Sequence, residues 1–79
     1  MDKQLLSNTL MRLSPRLIKR LSEYVKFPTE RNECYMIGYI TALEESNQLE
    51  YEDYSYLLAL CGRLRVDEEV RNTLKEELT

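Results

Sequence analysis

Cys34-Tyr35-Met36-Ile37-Gly38-Tyr39-Ile40-Thr41-Ala42-Leu43 is the longest apolar run in the chain. Wound at about 100° per residue, Met36, Tyr39, Ile40 and Leu43 form one broad wall. Ile37 lies at one edge and Tyr35 at the other, and Gly38, Thr41, Glu44 and Glu45 are left as a small or polar seam. A helix apolar over so much of its girth belongs inside a fold, covered on more than one side. The expectation is an all-helical protein with this run enclosed.

The flanking segments carry the same period. Only two Gly and two Pro occur in 79 residues, while Leu, Glu, Arg and Tyr are plentiful, which favours helix over sheet. Leu6, Leu10, Leu13, Leu17, Leu21 and Tyr24 recur at threes and fours, and Ser14-Pro15 interrupts them. Serine suits an N-cap and proline the first helical position, so the spacing predicts helices over 2–13 and 15–25, with one kinked helix as the other reading. Lys26-Phe27-Pro28-Thr29 reads as a connector whose Phe27 folds back onto the core and whose Thr29 caps a helix over 30–46. After the polar turn Glu45-Ser46-Asn47-Gln48, the acids Glu50, Glu52 and Asp53 open the next helix. Its stripe is Tyr51, Tyr54, Leu57, Leu58, Cys61 and Leu64, and Gly62 is a natural stop that the pattern can override. Asp67 caps a last helix whose thin edge of Val70, Leu74 and Leu78 predicts weak docking and fraying. The fold class is therefore all-α: one domain over 1–79, a compact bundle of four to five short helices around a central helical hairpin (about 30–46 and 50–62).

Composition excludes more than it identifies. No apolar run approaches the roughly 18–20 residues that span a bilayer, and Met1-Asp2-Lys3-Gln4 lacks a secretion signal's apolar core, so the expectation is a cytoplasmic protein with no membrane partner. There is no histidine, which removes the commonest general base and neutral metal ligand. Gly38 and Gly62 stand alone, so no phosphate-cradling loop exists. The acids near residues 44–53 lack the offsets and glycine of an EF-hand. The chain is read as not an enzyme, with no cofactor and no metal. Cys34 and Cys61 come level if the chain folds back near residues 47–50. They are read as two small core residues, with a redox disulfide or half an intersubunit metal site as the other reading.

Charge is unevenly placed. Residues 1–43 hold seven Lys/Arg against four Asp/Glu, a balance of +3, whereas residues 44–79 hold four against ten, a balance of −6. Arg12, Arg16, Lys19 and Arg20 fall within about 100° on the first segment if it stays helical. They are candidate nucleic-acid contacts, or the solvated face any amphipathic helix must have. Gly38 and Ala42 form a small-residue ridge, read as close packing of a neighbouring helix within the chain or as a homodimer contact. Glu50, Tyr51, Glu52, Asp53 and Tyr56 combine acid with tyrosine, a composition suited to a protein-contact surface.

The segment Gly38-Tyr39-Ile40-Thr41-Ala42-Leu43 through Gln48-Leu49-Glu50-Tyr51-Glu52-Asp53-Tyr54 and Leu57-Leu58 resembles helical hairpins of short bacterial and phage accessory proteins. That resemblance implies a small regulatory or inhibitory protein. The first functional reading is a non-enzymatic protein that binds a protein partner through the Tyr/acidic surface, with homodimerisation through Gly38 and Ala42. The alternative is a nucleic-acid-binding or transcriptional accessory protein using Arg12, Arg16, Lys19 and Arg20.

Overall fold

The computed structural model describes residues 1–79. Five helices follow one another without a strand: α1 (Lys3–Met11), α2 (Pro15–Lys26), α3 (Glu30–Glu45), α4 (Tyr51–Leu64) and α5 (Glu68–Leu78). Local chemistry sets most of the starts. Ser14 Oγ accepts from Leu17 N with Pro15 behind it, Thr29 Oγ1 accepts from Asn32 N, and Asp67 accepts from Glu69 N and Val70 N. Ser14 is extended at ψ 154°, as a residue before proline prefers, so the N-terminal segment is broken at this point. α4 opens without a side-chain cap, but Glu52 and Asp53 stand in its first turn, where the helix dipole favours acid. Gly62 does not stop α4. The helix runs through it to Leu64, which is fully buried, and that burial outweighs the roughly 0.5–1 kcal/mol cost of a mid-helix glycine.

α3 and α4 form the expected antiparallel hairpin. Near its tip Thr41 Oγ1 and Tyr54 OH share a hydrogen bond of 3.2 Å, and at its far end Arg65 Nε lies 3.0 Å from Glu33 Oε1. The second contact is an ion pair without hydrogen-bond alignment, because Arg65 Nε lacks an acceptor in line with its N–H. Asn47, at φ 61°, turns the chain between the two helices.

One core joins all five helices. Leu6 and Leu10 come from α1, Leu17, Leu21, Tyr24 and Val25 from α2, Met36 and Ile40 from α3, and Val70 and Leu74 from α5. α4 matches the four of α2 with Leu57, Leu60, Cys61 and Leu64. The Tyr24 hydroxyl donates to Cys61 O at 2.8 Å, a buried bond that ties α2 to α4.

Three expectations fail. The run 34–43 is not enclosed: Met36 and Ile40 are the only buried residues of α3, which packs chiefly on α4, touches α2, and leaves Cys34, Tyr35, Gly38 and Ala42 exposed. Cysteine, glycine and alanine bring little area to bury, and a tyrosine ring satisfies its hydroxyl best at the rim. Leu-rich α4 takes the middle instead. Phe27 does not fold back, because its carbonyl accepts from Asn32 Nδ2 and Thr29 N, both at 2.8 Å, while its ring is 65% exposed. α5 is docked firmly, with Val70, Thr73 and Leu74 buried against its neighbours α2 and α4. Arg71 Nη1 reaches Leu64 O at 3.0 Å and Arg65 O at 3.3 Å, satisfying carbonyls at the end of α4.

Candidate functional site

At the hairpin tip, the five Tyr/acidic candidates separate into two groups. Asp53 is buried, its side chain 8% exposed, and it accepts from Arg12 Nη2 at 2.8 Å and from Arg12 Nε at 3.2 and 3.3 Å. Arg12 Nη2 also donates to Thr9 Oγ1, which in turn donates to Leu5 O. The Asp53 hydrogen bond, aided by the charges of Asp53 and Glu52 against some desolvation, raises the guanidinium above its ordinary value. Asp53 therefore anchors α4 to the end of α1 and is not a free surface acid. Tyr56 packs against the core, and burial first, then the charge of Asp2, pushes its hydroxyl up, with Arg63 opposing. Glu50, Tyr51 and Glu52 remain together on the surface. Tyr51 is 68% exposed and leans on Tyr54 with ring centroids 6.1 Å apart. With Arg12 and Asp53 they line a shallow, mostly polar cleft.

The basic candidates do not form one patch. The break at Ser14 puts Arg12 on a different element from Arg16, Lys19 and Arg20. Arg12 is engaged with Asp53, and Arg20 Nη1 lies 3.5 Å from Glu23 Oε2 while its guanidinium sits 5.8 Å from the centre of the Tyr35 ring. Arg16 and Lys19 are exposed and form no ion pair within the chain.

A site that the sequence reading missed lies where α2 turns into α3. Arg20, Glu23 and Tyr24 of α2, Phe27 just beyond its end, and Asn32, Tyr35 and Met36 of α3 line a cleft of about 240 Å³. Phe27 stands exposed on its rim, and so does Tyr35, which is 53% exposed. Tyr35 is held in place by Tyr39, stacked at 6.3 Å with 18° between the rings, and by Arg20. Arg20 Nε has no hydrogen-bond acceptor in the chain. The signal was present as spacing. Arg20, Tyr24 and Phe27 follow at four and three, and Asn32 and Tyr35 at three, marking one edge on each element.

Gly38 and Ala42 lie on the outer face of α3. A Cβ built on Gly38 meets nothing within 4 Å, so close packing inside the chain does not explain the ridge. The cysteines part company too. Both are free, Cys34 is exposed, and Cys61 is buried where desolvation, then the charge of Glu33, pushes its thiol up to about 12. Such a thiol is inert. No group of three His, Cys, Asp or Glu side chains lies close enough to hold a metal ion, and no helix is long and apolar enough to cross a membrane. Comparison with family models, with curated proteins and with solved structures yields no match.

Proposed function

We propose that this chain is a small, non-catalytic regulatory or inhibitory protein that acts by binding another protein at the corner between α2 and α3. The observation that carries the reading is the pair of exposed rings, Phe27 and Tyr35, flanking a cleft with Arg20 beside them and buried Met36 among its lining residues. Aromatic residues, arginine and methionine are enriched at protein interfaces, and the one carboxylate lining this cleft, Glu23, is paired with Arg20 at 3.5 Å. Tyr35 is already ordered by Tyr39 and Arg20, which lowers the entropy lost on binding. A second reading keeps the same function and places it at Glu50, Tyr51 and Glu52, on the strength of the exposed Tyr51 ring. Nucleic-acid binding is the weaker proposal. Arg16 and Lys19 alone would neutralise about two phosphates and give a salt slope of only about −2.

The test is affinity capture from a lysate of the source organism with the wild-type chain, Phe27→Ala and Tyr51→Ala. The expected result is one stoichiometric protein retained by wild type and Tyr51→Ala but lost with Phe27→Ala, since removing an aromatic anchor weakens binding by about 30-fold or more. Loss with Tyr51→Ala instead moves the site to the tip. Retention by both variants, or no stoichiometric partner at all, overturns the proposal.

A further inference from the structure

At Gly38 the outer face of α3 has no neighbour within the chain. Thr41 to one side shares a hydrogen bond with Tyr54, Tyr35 to the other meets Arg20, and the charges of this face are arranged about its midpoint. Arg31, Gly38 and Glu45 are each seven residues apart, so they run in a nearly straight line along the helix and drift only about 20° per step. All three are exposed. Arg31 and Glu45 stand at equal distances, roughly 10.5 Å along the axis, on either side of Gly38. Neither forms an ion pair or a side-chain hydrogen bond within the chain. Cys34 and Thr41 flank the line on one side, and Tyr35 and Ala42 on the other, again at intervals of seven.

We propose that this face binds a second copy of the chain, with the two α3 helices antiparallel about a twofold axis at Gly38. Under that symmetry, positions equidistant from residue 38 meet across the interface. Arg31 faces the partner's Glu45 and Glu45 faces the partner's Arg31, so one self-complementary contact makes two ion pairs. A parallel pairing would set like charge on like charge. Tyr35 lies over the partner's Ala42, and Cys34 lies beside the partner's Thr41. At the axis only backbone meets backbone, which lets the helices approach to about 8 Å, the near end of the usual range. The inward packing of the chain does not account for a glycine here, because a Cβ at this position meets open space. Close approach of a second helix does. A single helix face offers less than the roughly 800 Å² per partner of a standard interface, so the dissociation constant is on the order of tens of micromolar.

Sedimentation equilibrium from about 5 µM to about 1 mM brackets that value. The weight-average mass should rise from 9.4 kDa towards twice that figure. Arg31→Glu and Glu45→Arg each turn two attractions into two repulsions and should weaken the dimer about ten-fold, while the double variant should return to within about three-fold of wild type. Thr41→Cys places a thiol beside the partner's Cys34 and should cross-link under mild oxidation, whereas Thr41→Cys in a Cys34→Ser background should not. A mass that stays at 9.4 kDa throughout overturns the proposal. So do single variants that associate like wild type, or association without the cross-link, which moves the contact to another surface. Circular dichroism guards against misfolding, and both charged positions are exposed. The corner site and this face share Tyr35, so a second copy and a partner at the corner compete for it. Phe27→Ala removes the corner site but leaves Arg31, Gly38 and Glu45 in place, so the two readings still fail separately.

Discussion

Replacing Gly38 by alanine should stabilise the isolated chain. Gly38 lies inside α3 with a helical backbone, since no glycine here has positive φ, and an added methyl group meets no atom within 4 Å. The substitution therefore introduces no clash and removes the conformational freedom that glycine regains on unfolding. That difference is worth about 0.5–1 kcal/mol in a helix interior. For a domain of this size it raises Tm by about 2–8 °C. Thermal melts at about 5 µM, below the expected dimer dissociation constant, read the intrachain effect alone. At about 500 µM the gain should shrink, because the new methyl groups stand between two helices that otherwise meet backbone to backbone. A lower Tm at the dilute concentration would refute the reasoning. It would mean that position 38 is packed within the chain, and the open face of α3 would be lost with it.

Tyr24→Phe removes a buried donor from Cys61 O at the junction of α2 and α4, and should cost about 0.5–1.5 kcal/mol in urea unfolding with an unchanged m-value. Alkaline stability should be set by the same two residues. Cys61 goes from its ordinary 9.0 to about 12 and Tyr24 from 10.0 to about 12, both chiefly through burial. The folded chain holds each proton more tightly than the unfolded chain, so this stability is complete below pH 9, falls as unfolded Cys61 ionises, and falls faster above pH 10 as Tyr24 joins. Each group contributes a slope of about 1.4 kcal/mol per pH unit, and Cys61→Ala should move the onset from about 9 to about 10 in urea midpoints taken across pH; an unmoved onset contradicts the assignment. Arg12→Ala should destabilise more than the double variant Arg12→Ala/Asp53→Ala, because the single change strands a buried carboxylate, and equal losses would show that Asp53 is wetter than its 8% exposure implies.

Much of the architecture was legible because it is written locally. Ser14-Pro15, Thr29 and Asp67 cap or break the chain in ways that adjacent residues determine. The hairpin register was legible from the turn alone, and Glu33 does face Arg65. Burial was harder to read, since it depends on which helix wins the middle. Counting Cys34, Tyr35 and Ala42 as apolar made α3 look central, whereas the larger side chains Leu57, Leu60 and Leu64 decide the competition for α4. Asp53 follows the same phase as Leu57, Leu60 and Leu64, so its burial was readable from spacing, but its partner Arg12 stands 41 residues away and no local rule pairs them. Phe27 was placed inside for its hydrophobicity, though a ring on a four-residue connector follows the backbone bonds of that connector.

Thiol reactivity tests most directly the claim that α3 offers an open face over a closed core. With an excess of a chromogenic disulfide reagent, Cys34 should react at once and Cys61 only when the chain unfolds. The rate at Cys34 should fall as protein concentration rises and a second α3 comes to lie alongside it. Two fast thiols, two protected thiols, or a Cys34 rate indifferent to concentration would contradict the account.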